Sequence, residues 1–140
     1  NKPGDLVLQD GTVIGRHNGI WGYTIGKRKG LGISGFKEPM YVVGIDAPHN
    51  RVIIGPKAAL YSDALRAAEL TWTRGHAPAS VFEARIKIRN LHHAAPARVT
   101  VRADGQSLQA RFAEPQLSVT AGQSAVLYDG DVVLGGGVIL

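Results

Sequence analysis

Phe82-Glu83-Ala84-Arg85-Ile86-Lys87-Ile88-Arg89 alternates apolar and charged residues without a break. A period of two puts Phe82, Ala84, Ile86 and Ile88 on one side of an extended chain and Glu83, Arg85, Lys87 and Arg89 on the other. That is the pattern of a half-buried strand. The device recurs downstream, where Val99, Val101 and Ala103 are expected to point inward and Arg98, Thr100 and Arg102 outward. If the two strands pair, up to five cations share one face. One reading is a solvated outer face whose charge protects a sheet edge. The other is an anionic partner: like charges crowded on one face repel, and an RNA backbone relieves that repulsion.

Short β-prone runs flank turn signals on either side of this strand. Leu6-Val7-Leu8 and Thr12-Val13-Ile14 bracket Asp10-Gly11, and residues 40–45 and 51–54 bracket Pro48-His49-Asn50. Residues 98–103 and 107–112 bracket Asp104-Gly105, and residues 124–128 and 131–134 bracket Asp129-Gly130. Asn18-Gly19 is a further pair of the same type. Asp-Gly and Asn-Gly supply the positive φ angles of tight hairpin turns, and hairpins at this spacing predict an all-β protein built of small barrels. The segment 58–72 is rich in Ala and Leu, so propensity alone allows a helix, but its period is poor and an extended conformation is expected. Arg74-Gly75-His76-Ala77-Pro78-Ala79-Ser80 lacks periodicity and carries Gly and Pro, which predicts a linker. The chain is therefore divided into two small β modules, 1–75 and 76–140, the second a β-barrel of translation-factor or OB-like type.

Composition narrows the classes. With 44% hydrophobic residues, 140 residues bury a real core, and 6% aromatics means that core is built from Val, Ile, Leu and Ala. There is no cysteine, so a disulfide scaffold, a thiolate metal site and a cysteine nucleophile are excluded from this chain. The net charge of +5 favours an anionic partner. The charge is uneven: residues 112–140 contain no Lys or Arg, whereas 85–111 contain six against one acid. No apolar run approaches a membrane span and no signal-peptide pattern opens the chain. It begins with Asn1 rather than Met, which is read as a piece of a longer protein, of cytoplasmic origin and without a membrane partner.

Other clusters carry less. Adjacent histidines on an extended segment point to opposite faces, so His92-His93 makes a poor metal site, and none is expected. Ser62 and Ser124 lack a nucleophile-elbow context. Gly135-Gly136-Gly137 requires special backbone angles or close approach by another segment. Trp21, Tyr23, Tyr41, Trp72 and Tyr128 have faces on which bases stack, against the simpler expectation that most are core. Tyr23-Thr24-Ile25-Gly26-Lys27-Arg28-Lys29-Gly30-Leu31-Gly32-Ile33 sets three consecutive cations between glycines. It is not a phosphate-binding loop of the G-x-x-x-x-G-K-[ST] kind. It is read as a short helical turn ending at Gly30, whose cations either solvate a loop or meet phosphates.

This run, with the closing Gly122-Gln123-Ser124-Ala125-Val126 and Leu134-Gly135-Gly136-Gly137-Val138-Ile139, resembles the C-terminal half of bacterial tRNA-specific 2-thiouridylases. Pro3-Gly4-Asp5, Asp10-Gly11, Ile14-Gly15-Arg16-His17, Glu38-Pro39 with Tyr41-Val42-Val43, and Tyr61-Ser62 extend the likeness over essentially the whole chain. Such enzymes replace the O2 of the wobble uridine of tRNA with sulfur. The resemblance implies a central domain followed by a tRNA-holding C-terminal barrel. It implies that catalysis, with ATP, Mg and two persulfide-carrying cysteines, sits on a domain outside this sequence, fed by a sulfur-relay donor protein. No catalytic residue and no cofactor are then expected within these 140 residues, and the chain alone is expected to be inactive. The family's tRNA contacts fall on Arg89, Asn90 and Gln123, and Lys27, Arg28, Lys29, Arg85 and Lys87 are further candidates. Two departures stand out: the family's Arg-Tyr-Arg-Gln is Arg89-Asn90-Leu91-His92 here, and its usual Gln in the glycine-cation run is Lys27. Beside this reading stand a free-standing RNA-binding adaptor without catalysis and a module that only braces a catalytic domain.

Overall fold

The computed structural model describes residues 2–89 and 93–140, and apart from three short 3-10 turns its regular structure is all strand. Two compact units divide the chain, Asn1–Tyr61 and Ser62–Leu140.

The first unit is a four-stranded sheet in the order β2-β1-β4-β3, from β1 (Gly4–Leu8), β2 (Val13–His17), β3 (Met40–Asp46) and β4 (Arg51–Pro56). Both hairpins expected here form, β1 with β2 and β3 with β4. A parallel pairing of β1 with β4 joins them. Leu6, Val42, Val52 and Ile54 are buried beneath Leu31, with Ile14, Tyr23, Ile25 and Ile33 against them. Asn18-Gly19 makes no hairpin. It ends β2, where the Gly19 N–H donates to Nδ1 of His17 at 3.0 Å. That bond makes Nε2 the protonated nitrogen, and it donates to the Asn50 carbonyl at 2.9 Å. His17 is only 2% exposed, so both ring nitrogens are satisfied in the core. Gly4 lies against the same group: a Cβ there would come 2.1 Å from the Asn50 oxygen. Asp5 pairs with Arg16 at 2.7 Å. The Pro3-Gly4-Asp5 and Arg16-His17 motifs therefore fasten β1 to its neighbours.

The second unit is a closed barrel in the cyclic order β10-β5-β8-β7-β6-β9. Its strands are β5 (Tyr61–Trp72), β6 (Val81–Lys87), β7 (Ala95–Val101), β8 (Ser107–Leu117), β9 (Ser124–Asp129) and β10 (Val132–Ile139). β6, β7 and β8 form a meander and β9 returns beside β6, a Greek key. The two expected hairpins, β7 with β8 and β9 with β10, turn at Asp104-Gly105 and Asp129-Gly130. Inward positions follow the period of two: Ala84, Ile86 and Ile88; Ala97 and Val99; Leu108, Ala110 and Phe112; Ala125 and Leu127. Alanines between larger aliphatics let a narrow interior fill without voids. Ala103 departs from the expectation: β7 ends at Val101, and Ala103 lies exposed in the turn.

The division between the units also departs from the expectation. It falls at Tyr61/Ser62 rather than near residue 75, because β5 pairs with β10, Ala67 opposite Ile139 and Trp72 opposite Gly135. The segment 58–72 is extended as expected, except that Lys57–Leu60 forms a 3-10 turn before β5. Arg74–Ser80 is a loop within the barrel, begun by a Gly75 N–H that donates to the Trp72 carbonyl at 2.9 Å. Glu69 takes a left-handed conformation, φ 52°, where two β5 residues oppose Gly137 alone. This is a β-bulge, and it tightens the local bend of the barrel wall.

Gly135-Gly136-Gly137 is explained by close approach. A Cβ on Gly135 would lie 2.3 Å from the Thr71 oxygen, one on Gly136 2.5 Å from the Ala125 oxygen, and one on Gly137 2.6 Å from the Ala68 oxygen. At these three positions β10 threads between β5 and β9 with no room for a Cβ.

Candidate nucleic-acid interface

Strand β6 delivers the cations that the alternation predicts, and pairing sorts them. Glu83 stands opposite Arg98 and takes it into an ion pair at 3.3 Å. Arg111 pairs with Asp63 at 2.9 Å. Arg102 lies beyond the end of β7. Of the five cations expected on one face, Arg85 and Lys87 on β6 and Arg89 in the bend just past its end remain without a carboxylate partner among the described residues. Both observed pairs are solvent-exposed and add little to stability, but they cancel local charge and confine the positive field to one end of β6.

That end opens into a cleft of about 470 Å³. Lys87 and Arg89 form one wall and Gly122, Gln123 and Ser124 another. Val126 and Tyr128 of β9 line it further, because Lys87 stands opposite Val126 and Arg85 opposite Tyr128, so these outward side chains share a face. The geometry brings together Lys87, Arg89 and Gln123, which the sequence places 36 residues apart at their extremes. Arg85 flanks this group, exposed, with Nη1 3.4 Å from the Ala94 carbonyl. Arg89 donates from Nη2 to the Ser118 carbonyl at 3.1 Å. Ser118 is left-handed, φ 53°, and its carbonyl also accepts from the Thr120 hydroxyl at 2.8 Å. One arm of the guanidinium therefore holds the loop before β9, and its other N–H donors remain for an anion.

Gln123 is fixed through its backbone. Its carbonyl accepts from Ile139 N–H at 2.8 Å, and the neighbouring Gly122 N–H donates to the Ile139 carbonyl at 2.7 Å. The side chain is exposed. Asn90 lies outside the described residues, as does His92.

Lys27, Arg28 and Lys29 belong to the first unit. No helical turn forms there. Gly26 N–H donates to the Val42 carbonyl and Val42 N–H to the Lys27 carbonyl, both at 2.8 Å, which draws the segment along the edge of β3. Gly26 and Gly30 have φ of 93° and 73°, the conformations that make the bends glycine-dependent. Lys27 is occupied: Nζ donates to the Gly22 carbonyl at 2.9 Å and sits 4.9 Å from the centre of the Tyr23 ring. Arg28 and Lys29 are exposed. Gly122, Ser124 and Val126 are members of the cleft that the sequence did not single out as contacts, whereas Tyr128 is one of the aromatics named for stacking faces. The signal for Tyr128 was its place at the outward register of β9.

Residues 1–56 match a family model described as a tRNA methyl transferase PRC-barrel domain. Residues 62–139 match one described as an aminomethyltransferase beta-barrel domain. The chain belongs to the tRNA-specific 2-thiouridylase family. Among its relatives, a tRNA-specific 2-thiouridylase of Endomicrobium trichonymphae is 50% identical over 140 residues, covering 99% of this chain and 39% of the relative. Those of Geotalea uraniireducens and Geobacter metallireducens are 48% and 49% identical over 136 residues, covering 97% of this chain and 36% of each relative. The chain thus spans between a third and two-fifths of the length of these relatives. Within this family portion, no group of three or more His, Cys, Asp or Glu side chains among the described residues could hold a metal ion. No helix among them is long and apolar enough to cross a membrane.

Proposed function

We propose that this chain is the part of a tRNA 2-thiouridylase that holds tRNA, while ATP-dependent replacement of the wobble uridine's O2 by sulfur is carried out on residues outside these 140. The observation that carries this reading is the convergence of Lys87, Arg89 and Gln123 on one cleft of the barrel, where the cations lack carboxylate partners among the described residues. Two cations at a cleft neutralise phosphates, and an exposed amide donates to and accepts from sugar or phosphate oxygens. A persulfide relay needs thiols, and the chain has none. An ATP triphosphate with its Mg needs a phosphate-gripping loop and carboxylates, and the described residues do not fit that group. The two cysteines, ATP, Mg and the sulfur-donor protein therefore belong with the remainder of the enzyme, and a tRNA substrate places the work in the cytoplasm. The family resemblance also assigns a tRNA contact to Asn90, which lies outside the described residues, and Arg28 and Lys29 of the first unit are further exposed cations.

Gln123→Ala tests the reading. The side chain is exposed and the turn is held by backbone bonds, so unfolding free energy should change by no more than about 0.5 kcal/mol. Affinity of the 140-residue chain for tRNA should fall about threefold to tenfold, the worth of one or two net hydrogen bonds. Thermal melts run beside filter-binding curves measure both. A melting temperature that drops sharply while tRNA affinity holds would make Gln123 structural and remove the contact.

A further inference from the structure

We propose that the cleft of the barrel takes one unpaired nucleotide of the bound RNA, its base stacked on Tyr128 and its phosphates held by Lys87 and Arg89. This rests on the RNA-binding reading above and adds what kind of RNA structure the cleft selects.

The cleft is an open depression of about 470 Å³, within the size range of a small-ligand site. Its groups are of two kinds. Lys87, Arg89, Gln123 and Ser124 suit phosphate and sugar oxygens, whereas Tyr128 and Val126 are apolar walls with no use for a phosphate. A paired strand offers phosphates, 2′-hydroxyls and base edges in its shallow minor groove but no free base face, because its bases are stacked on one another. An aromatic wall beside cations is used when a base leaves its stack.

The register sets the spacing. Tyr128 lies directly across from Arg85, and Lys87 is one outward position further along β6. Opposed and diagonal neighbours on one sheet face are about 5–8 Å apart, within reach of a single nucleotide.

The other aromatic side chains serve less well. Tyr23 has Lys27 over its ring and His17 against its edge at 5.8 Å. Trp72 and Phe82 are taken up with each other at 6.1 Å. Trp21 is 84% exposed in the first unit but lines none of the clefts described. Among the described residues no cation and no second ring stacks on Tyr128.

The test uses the 140-residue chain and two RNA probes at about 50 mM salt, where phosphate contacts are strong. One probe is a fully paired RNA hairpin. The other is the same hairpin with a single-nucleotide bulge. The bulged probe should bind roughly tenfold tighter or better, the scale of one base–aromatic stack. Tyr128→Phe, which keeps the ring, should preserve that preference. Tyr128→Leu, which keeps apolar volume, and Tyr128→Ala should both bring the ratio near one by lowering affinity for the bulged probe more than for the paired hairpin. Using Leu beside Ala guards against a folding defect, which melting curves would reveal. A bulge preference that survives in both variants, or equal binding of the two probes by the unaltered chain, overturns the nucleotide-cleft proposal and leaves RNA binding standing. Failure of the unaltered chain to bind either probe overturns both.

Discussion

Gly136→Ala should lower the stability of the barrel by about 1–3 kcal/mol, the usual cost of forcing an extra methyl group into a filled space. The added Cβ would sit 2.5 Å from the Ala125 carbonyl oxygen. The obstacle is backbone, so no rotamer change relieves it. Gly135→Ala and Gly137→Ala should do the same from the other side, against the Thr71 and Ala68 oxygens. In a domain of this size the loss corresponds to a fall in melting temperature of roughly 5–20 °C. Gly130→Ala is the control: its φ is 59°, but nothing lies within 4 Å of a Cβ there, so only the conformational cost of a left-handed residue, about 1 kcal/mol, is expected. Thermal melts followed by circular dichroism rank the four variants. Gly136→Ala melting at or above Gly130→Ala would mean that β10 does not run between its neighbours in this register.

The largest effect on binding should come from Arg85→Gln, Lys87→Gln and Arg89→Gln together. Each phosphate contact contributes about 0.7–0.9 to the slope of log affinity against log salt, so losing three flattens it by two to three units. At about 0.1 M salt the same arithmetic weakens tRNA binding on the order of a hundredfold. Arg85 and Lys87 are spaced to face outward together, and their removal leaves the inward Ala84, Ile86 and Ile88 untouched. Arg89 also holds the Ser118 carbonyl, so the Arg85→Gln, Lys87→Gln double variant separates charge from loop anchoring. The double variant should retain the parent melting temperature and show about two-thirds of the triple variant's slope change. An unaltered slope in the triple variant would leave these side chains as mere surface charge.

The barrel was legible where structure is local. A period of two marked the inward row of β6, and Asp-Gly pairs marked the hairpins of β1 with β2, β7 with β8 and β9 with β10. The boundary between the units was not. Residues 61 and 62 carry no Gly or Pro, and what fixes their allegiance is pairing of β5 with β10 some seventy residues away. The Gly75-Pro78 loop has the composition of a linker but lies inside the barrel, since composition marks a break in regular structure and not a break in packing. Two elements of the interface divide the same way. Outward charge on β6 follows from alternation, whereas its meeting with Gln123 depends on β9 lying beside β6, and the expectation for Gln123 came from family resemblance. The neighbours of Lys27 in sequence are cations, whereas its neighbours in space include the Tyr23 ring and the Gly22 carbonyl, which no local pattern announces. His17 and Gly4 read as motif residues, and the structure gives their reason as sheet fastening.

The three glycines of β10 also bear on how the chain is made. During synthesis β5 emerges first of the barrel strands and β8, β7, β6 and β9 can assemble beside it, leaving a sheet open between β5 and β9. The wait from Ala67 to its partner Ile139 is on the order of ten seconds at ordinary rates of translation. Throughout that interval the outer edge of β5 stands unpaired, and the edge of β9 joins it only at the end, a template for wrong pairing with another nascent chain. The last strand then enters like a keystone, and a keystone without side chains on its flanks can slide into a nearly closed ring. A bulky residue in its place would endanger the newborn chain before it weakened the finished one.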